Sequence, residues 1–257
     1  MHLAPAVRLA WTRPEPPPAG EEFRVASVNV YADNRRTDAL ERWLSSEAPE
    51  VVAILEVTEY WARHLESTSF LAGYEHALVE PRPGAFGIAL FSRLPFVSAR
   101  SIEVGSPGVP YIEAIVDHDG CQVKVLVVHT FPPVTPPMTS ARDHVLDEVL
   151  TRLDPTFPTV VMGDLNVTLY SPAFRRFVRD GDLVDSRRGF GRMATWMPVL
   201  GPAGLDLDHV LTSAGLATRS RRVGPAFGSD HLPVAADLVR ESSYCVPVPE
   251  REGSGSP

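Results

Sequence analysis

Residues 158–166 read PTVVMGDLN, an apolar run that ends at a glycine followed by a carboxylate and an amide. The β-branched residues around Val160 favour a strand, and the lack of polar alternation predicts that both of its faces are covered. Gly163 interrupts the run, and Asp164 and Asn166 would share a face if the backbone stayed extended. The stretch therefore predicts a buried strand that presents two polar side chains at the end of a sheet.

Other apolar runs end in a similar way. The runs at 23–30 and 51–55 also predict covered strands, and a polar residue stands at or near the end of each. A single residue of this kind is usually a turn former. A whole set at strand ends, restricted to Asn, Asp, Glu and His, indicates a shared crevice instead. The set consists of Asn29, Glu56, His129, Asp164, Asn166, Asp208, Asp230 and His231.

Helix signals separate the strands. Asp38 is a candidate N-cap, and Ser171-Pro172 has the N-cap and first-turn proline of another helix. Ser140 is the predicted cap of a third helix, after a proline-rich stretch at 132–137 that predicts a loop. No repeat or composition break divides the chain. The pattern predicts one domain in which helices cover a mixed sheet system.

The composition is that of a globular protein, with 257 residues of which 44% are hydrophobic and 22% charged. We expect a proline-rich lead at 1–22, a folded domain at 23–240 and a disordered tail at 241–257. Cys121 and Cys245 have no metal-binding spacing and are expected to be free thiols in a reducing compartment. No stretch approaches ~18 apolar residues and the lead lacks a signal-peptide core, which predicts a cytoplasmic protein without a membrane segment.

The residue types in the polar set indicate a metal site with acid–base chemistry. Oxygen donors without cysteine favour Mg²⁺ or Mn²⁺ over zinc. Asp164 could take a proton from water, while Asn166 could donate a hydrogen bond to developing negative charge. A histidine in such a site needs an orienting carboxylate, and Asp208 is the candidate partner of His231.

Short motifs in a fixed order make this interpretation more specific. They are Asn29 in ASVNV, Glu56 in AILEV, GIALFSR at 87–93, His129 in VVHT, GDLN at 163–166, LDHV at 207–210 and SDH at 229–231. In this order and spacing, from residue 23 to about 240, they resemble the endonuclease/exonuclease/phosphatase (DNase I-like) family. GFG at 189–191 and the pair Thr195-Trp196 are similar to a bacterial subgroup of that family.

The resemblance implies a fold, an activity and a metal site. The fold would be a four-layer α/β/β/α sandwich, and the activity would be a metal-dependent hydrolysis of phosphoesters. Glu56 would be the main metal ligand, with Asn29 beside it and Asp230 next to the metal or behind its ligands. Asp164 would orient or deprotonate the attacking water.

The resemblance also implies contacts to the substrate. Asn166 and His129 would hold phosphate oxygens, and His231, paired with Asp208, would stabilise the charged transition state. Trp196 would either stack on a base or sugar or serve as a structural wedge. The proline-rich loop that follows His129 is predicted to narrow the cleft.

One residue departs from the family pattern. Asp206 precedes Asp208 by two positions and is predicted to lie on the same face. There it would add a metal ligand or repel phosphate.

The charge limits the kinds of substrate that the sequence favours. The chain has 24 basic and 32 acidic residues and a net charge of −8, which argues against strong binding of duplex DNA. The arginines at 187–192 and 219–222 are expected to be solvated surface. The prediction is a monomer that acts on a phosphorylated small molecule or a short nucleic acid.

The sequence leaves three functions to be compared. The first is a divalent-metal-dependent phosphoesterase, acting on a diester or a monoester by in-line attack of water. The second is a nuclease for short or single-stranded nucleic acid. The third is a non-catalytic or repurposed member of the fold that acts on a phosphate-free ligand.

Overall fold

The computed structural model describes residues 17–68, 71–106, 108–197 and 204–249. Within these ranges the strands form two six-stranded sheets. Across the first sheet the order is β11 (Leu216–Val223), β12 (Val234–Glu241), β1 (Gly20–Asn29), β2 (Val51–Leu55), β4 (Ile88–Ser92) and β3 (His76–Glu80). Across the second it is β5 (Phe96–Val104), β6 (Val109–His118), β7 (Cys121–Val128), β8 (Thr159–Asp164), β10 (Asp208–Thr212) and β9 (Val184–Asp185).

Four helices cover the outer faces in the described part of the chain. They are α1 (Asp38–Glu47), α2 (Glu59–Ser67), α3 (Pro136–Leu150) and α4 (Pro172–Asp180). Alternate residues of β2 face opposite sides: Ala53 packs between the sheets, whereas Ile54 packs among the core residues of α1 and α2. The second sheet has the same division, with α3 and α4 on its outer side. The predicted four-layer sandwich in a single domain is confirmed.

Strand direction brings the candidate residues to one edge of the sandwich. β1 pairs with β2 in parallel, and β7 pairs with β8 in parallel, whereas the other pairs are antiparallel. The carboxyl ends of parallel neighbours lie at the same edge of a sheet. Asn29 ends β1 and Asp164 ends β8, while Glu56 and His129 directly follow β2 and β7.

The helix boundaries differ from the sequence prediction in two places. α1 begins at Asp38 with Thr37 in the cap position, so the predicted cap at Asp38 is wrong. α3 begins at Pro136, and the Thr135 side chain caps it by accepting a hydrogen bond from the Met138 amide, so the predicted cap at Ser140 is wrong. Proline fits the first turn of a helix because the amide that it lacks has no partner there in any case. The loop after β7 is shorter as a result. The predicted cap at Ser171 is confirmed, with its Oγ 3.2 Å from the Ala173 amide.

The cysteine prediction is wrong. Cys121 and Cys245 form a disulfide, with Cα atoms 5.1 Å apart despite a sequence separation of 124. Cys245 follows β12 of the first sheet, and Cys121 is the first residue of β7 in the second. The local sequence around either cysteine does not indicate that the two are close in the fold. Next to the disulfide, the Gln122 amide donates to the Val246 carbonyl (2.8 Å).

The predicted disordered tail is also wrong for the residues before 250. β12 runs to Glu241, and the Val248 amide donates to the Gly120 carbonyl (3.0 Å). Residues 250–257, like residues 1–16 of the predicted lead, lie outside the described residues. β1 begins at Gly20, three residues before the predicted start of the domain. No helix in the described ranges is long and apolar enough to span a membrane.

We expect the double variant Cys121→Ser/Cys245→Ser to unfold at lower denaturant concentration than the parent. A disulfide typically stabilises a protein by about 2–4 kcal/mol, mainly by restricting the unfolded chain. The cysteines lie at the start of β7, whereas the candidate site lies at its end, so turnover should not change. Urea unfolding of the oxidised parent and the variant measures the difference. Equal stabilities would show that the disulfide does not restrict the unfolded chain.

Candidate active site

Six of the eight polar residues predicted from the sequence line one cavity of about 550 Å³ at the edge where the four parallel strands end. The other two, Asn29 and Asp208, are hydrogen-bonded to lining residues. Three of its walls differ in character. The acidic end consists of Glu56, Asp164, Asp230 and His231, and a polar side consists of Arg142, Asn166, Thr168 and Ser171. The apolar side consists of Phe86, Pro132, Pro133, Val134, Trp196, Leu205 and Leu207. The loop after His129 contributes Pro132, Pro133 and Val134 to this lining, and whether it narrows the cleft for a substrate stays a prediction.

Asn29 joins the two sheets at the floor of the acidic end. Its Nδ2 donates to Glu56 Oε1 (3.0 Å) and to Asp164 Oδ2 (3.3 Å), while its Oδ1 accepts from the Tyr31 amide (3.0 Å). Glu56 Oε2 accepts from the Ala32 amide (2.8 Å). Burial raises the pKa of Glu56, and the Ala32 and Asn29 hydrogen bonds oppose this increase. The result is a carboxylate pair held in a fixed orientation.

His231 and Asp208 form the predicted dyad. His231 Nδ1 donates to Asp208 Oδ2 (2.8 Å), which turns Nε2 toward Asp164 Oδ2 at 3.6 Å. Burial alone would lower the pKa of His231, but the Asp208 carboxylate more than offsets this and raises it to about 10. The imidazole is therefore positively charged at neutral pH and presents an Nε2–H donor to the cavity.

A second histidine faces the same carboxylate oxygen. His129 Nε2 lies 3.7 Å from Asp164 Oδ2. Burial lowers the pKa of His129, so this imidazole is neutral where His231 is charged. Burial raises the pKa of Asp164 to about 6, against the attraction of His231. Asp164 can thus exchange a proton near neutral pH.

The sequence analysis missed two residues that hold Asp208 in place. Thr195 Oγ1 accepts from the amides of Leu207 (3.2 Å) and Asp208 (3.1 Å). Arg221 Nη2 donates to the Asp208 carbonyl (3.0 Å). Thr195 belongs to the Thr-Trp pair quoted from the sequence, and that pair could have identified it. Arg221 had no such signal.

The predicted position of Asp206 is wrong. β10 begins only at Asp208, so strand alternation does not extend back to Asp206. Its Oδ2 lies 3.3 Å from Arg187 Nη1 and 3.5 Å from Arg192 Nε, and it is absent from the described lining of the cavity. Asp206 is a buried counter-ion of arginine.

The prediction of solvated arginines is wrong for Arg187 and Arg221, which are 3% exposed. Arg187 forms an ion pair with Asp185, and its Nη2 lies 3.1 Å from His209 Nδ1. His209 Nε2 is 2.7 Å from the Val167 carbonyl, directly after the GDLN motif. Burial lowers the pKa of His209 to about 3, which keeps the ring neutral. This charge cluster fixes the loop behind the site.

Asp164 and Asn166 do not share an extended backbone. β8 ends at Asp164, and Asn166 has a φ of +48° in the left-handed region. Asn166 nevertheless lines the cavity, because two hydrogen bonds hold it there. Its backbone amide donates to Asp164 Oδ1 (2.9 Å), and its side-chain Nδ2 donates to the Thr130 carbonyl (2.9 Å). Gly163 has a φ of +140°, and a Cβ there would lie 2.0 Å from the Val128 carbonyl oxygen. Only glycine allows β7 and β8 to approach so closely here.

Trp196 lies between the late strands and the cavity. Its backbone bridges Leu205 and His231, and its Nε1 donates to Asp230 Oδ2 (3.1 Å). It also lines the apolar side of the cavity. Phe86 on the same side was not identified from the sequence, because an apolar residue that precedes a strand gives no functional signal.

The donor set fits a hard divalent cation. Asp164, Asp208 and His231 place one potential ligand atom each within 4.8 Å of one another, and because the charged His231 has no free lone pair, the two carboxylates are the donors of this cluster. Glu56 is linked to Asp164 through Asn29, and Asp230 lines the same cavity. Carboxylates predominate and the site has no thiol, which suits Mg²⁺ or Mn²⁺ better than zinc.

Comparison with known proteins identifies the family. Three solved structures share the fold. They are an endonuclease/exonuclease/phosphatase from Beutenbergia cavernae (21% identity, TM-score 0.69, 86% of this chain and 72% of that one), D. rerio TDP2 complexed with a single-strand DNA product (14%, 0.66, 84% and 98%) and sphingomyelinase C from Streptomyces griseocarneus (17%, 0.61, 84% and 99%). No curated protein matches the sequence. The model of the Endonuclease/Exonuclease/phosphatase family matches residues 26–231. The chain therefore belongs to the endonuclease/exonuclease/phosphatase family.

Proposed function

We propose that the protein is a divalent-metal-dependent phosphoesterase that hydrolyses a phosphodiester or phosphomonoester by in-line attack of water. The observation that carries this proposal is the contact of Asp164 with both imidazoles. One carboxylate oxygen of Asp164 faces a charged His231 (3.6 Å) and a neutral His129 (3.7 Å) inside an acidic cavity. A proton acceptor next to cationic and neutral donors suits hydrolysis at phosphorus.

Each side chain of the site has a proposed role in the hydrolysis. Asp164 orients the attacking water and accepts its proton, and His231 donates Nε2–H to a phosphoryl oxygen as charge develops. Asp208 holds the His231 ring in the required orientation and keeps it charged. Asn166 and His129 bind the remaining phosphoryl oxygens, and Trp196 borders the group attached to phosphorus.

A metal ion would be held at the acidic end by Glu56 and Asp230, with Asn29 orienting Glu56. When bound, Mg²⁺ or Mn²⁺ would supply positive charge for the phosphoryl oxygens and the leaving oxygen. The raised pKa of Glu56 is consistent with a carboxylate that lacks a buried cationic partner of its own.

A substrate panel tests the proposal. It consists of bis-p-nitrophenyl phosphate, p-nitrophenyl phosphate, single-stranded DNA and a sugar or lipid phosphodiester, each with Mg²⁺, with Mn²⁺ and with EDTA. We expect hydrolysis of at least one phosphoester in the presence of metal. Binding without turnover across the whole panel would favour the non-catalytic alternative.

EDTA should abolish turnover, and Mg²⁺ or Mn²⁺ should restore it. Glu56→Gln should raise the metal concentration needed for half-maximal activity at least ~10-fold, since metal sites depend strongly on each charged ligand. The fold should persist because Glu56 lies at the edge of the core. Metal titrations of activity, with thermal melts as a control for folding, measure both effects. Asp33→Asn, in the loop after β1, is the matched acidic control and should titrate like the parent. Full activity in EDTA, or restoration by Zn²⁺ alone, would contradict the proposed site.

A nuclease for short or single-stranded nucleic acid is the second candidate. The apolar side of the cavity, with Phe86 and Trp196, offers flat surfaces on which bases can stack. The D. rerio relative, crystallised with a single-strand DNA product, gives this candidate an analogy in fold alone. Preference for single-stranded DNA over the sugar or lipid diester would support it.

The cellular location and the monomeric state stay predictions. The disulfide Cys121–Cys245 favours an oxidising compartment over the cytoplasm that the sequence suggested, since thiols are kept reduced in most cytosols. Alkylation of free thiols in intact cells, followed by mass spectrometry, would decide the location. Size-exclusion chromatography with light scattering would test the monomer.

A further inference from the structure

The cavity contains a buried cation that none of the roles above uses. Arg142 lies on α3, its side chain is 7% exposed, and it is the sole arginine or lysine among the described residues that line the cavity. Three acidic residues, Glu56, Asp164 and Asp230, line the same cavity. An anionic substrate must therefore approach a largely acidic surface, and Arg142 is the fixed positive charge on its polar side.

The hydrogen bonds of Arg142 occupy part of its guanidinium. Nε and Nη2 donate to Asp143 Oδ1 (2.9 and 2.7 Å), and Nη1 donates to the Asn166 carbonyl at 3.5 Å. A guanidinium has five N–H groups, and these bonds, among the described residues, account for three of them. The two that remain are on Nη1 and Nη2, the pair that binds two oxygens of a phosphate together.

The position of Arg142 relates it directly to the reacting centre. The backbone amide of Asn166 donates to Asp164 Oδ1, and its backbone carbonyl accepts from Arg142. A single residue therefore connects the proposed water-activating group with the guanidinium. Thr168 and Ser171, also in the lining, place hydroxyl groups on this side. An anion bound here would be a neighbour of the scissile phosphate and not the scissile phosphate itself.

We propose that Arg142 forms a second phosphate subsite, so that the preferred substrate carries a further phosphate next to the phosphoester that is hydrolysed. This inference rests on the proposed phosphoesterase function and narrows its substrate class. The second phosphate is either a terminal monoester or the next diester of a short oligonucleotide. A substrate with one isolated phosphate would leave the subsite unused.

Paired substrates with the same scissile bond test the subsite. Thymidine 5′-(p-nitrophenyl phosphate) has one phosphate, its 3′-phosphorylated form adds a terminal monoester, and the corresponding p-nitrophenyl ester of a thymidine dinucleotide adds a diester. The parent should show kcat/KM roughly 10-fold or more higher for one of the two-phosphate substrates, as expected for charge-assisted hydrogen bonds. Whichever of the two is preferred identifies the source of the second phosphate.

Variants assign the preference to Arg142. Arg142→Met should remove most of the ratio between the two-phosphate and one-phosphate substrates, and Arg142→Lys should retain part of it because the charge remains. Arg175→Met, an exposed arginine on α4, is the control and should leave the ratio unchanged. Equal kcat/KM values of the parent for one-phosphate and two-phosphate substrates would overturn the proposal. So would a preference for two phosphates that persists in Arg142→Met.

Binding measurements separate this proposal from the phosphoesterase proposal. Calorimetry with Mg²⁺ compares thymidine 5′-phosphate with thymidine 3′,5′-bisphosphate, and it needs no turnover. Tighter binding of the bisphosphate that disappears in Arg142→Met supports the subsite even if every substrate of the panel resists hydrolysis. Equal binding of the two ligands by an enzyme that turns over the panel overturns the subsite and leaves the phosphoesterase proposal intact. A Lys variant that folds by circular dichroism keeps the test valid if the Met variant does not fold.

Discussion

His231→Ala should lower kcat by ~10²-fold or more and change KM much less. The charged imidazole lies 3.6 Å from Asp164, where a phosphoryl oxygen would gain negative charge, and a contact made mainly in the transition state affects kcat most. Single-turnover kinetics on the best substrate of the panel measure the effect. His144→Ala, an exposed histidine on α3, is the matched control and should keep the parent rate.

A double-mutant cycle tests whether Asp208 acts through His231. Asp208→Asn should slow the reaction less than His231→Ala, because it removes orientation and charge support but keeps the donor. The double variant should then be scarcely slower than His231→Ala alone, since the two residues act as one unit. Rate losses that multiply across the pair would show independent roles and would disprove the dyad.

Arg187→Met should give the largest loss of stability among the variants described, about 3–5 kcal/mol. It leaves Asp185 without its cation and the buried Asp206 with Arg192 as its remaining partner, and breaking a buried ion pair from one side costs roughly this much. Burial would raise the pKa of Asp185, but Arg187 holds it far below the usual value. Arg188→Met, at the exposed neighbouring position, should cost less than about 0.5 kcal/mol.

The pH dependence of the same pair of variants provides a check. A depressed carboxylate pKa stabilises the fold above the unfolded pKa, and this contribution is lost as the pH falls toward the folded value. The stability difference between the parent and Arg187→Met should therefore shrink as the pH is lowered from 7 through the acidic range. Urea unfolding at several pH values measures it. A difference independent of pH would mean that lost packing, and not lost charge pairing, is the cause.

The site could be predicted from sequence to the extent that its residues interrupt apolar strands. Asn29 and Asp164 are polar residues at the ends of buried runs, and the strand directions bring them within hydrogen-bond reach of each other. That signal is local. The contacts that complete the site are not local: Arg221 reaches Asp208 across 13 residues, and Arg142 reaches Asn166 across 24. An arginine in a charged stretch looks like surface until its distant partners are known.

The fold was predictable in class but not at its edges. β2 is buried at every position and gives an unambiguous apolar run. β3 and β5 are edge strands with many partly exposed residues, and the register of β5 shifts between Phe96 and Ser98. Such strands have neither an apolar run nor a regular alternation, so the sequence pattern does not reveal them. α3 was shortened in the prediction because it begins with two prolines.

The disulfide has a consequence for how long the protein would last in different surroundings. It joins the segment after β12, in one sheet, to the first residue of β7, in the other, at the end of the sandwich away from the cavity. Reduction would leave the cleft chemically unchanged but would give the two sheets one less connection. A protease attacks the opened fraction of a protein, and a loss of 2 kcal/mol raises that fraction roughly 30-fold. The same chain would then be equally active in either redox environment and long-lived only in an oxidising one.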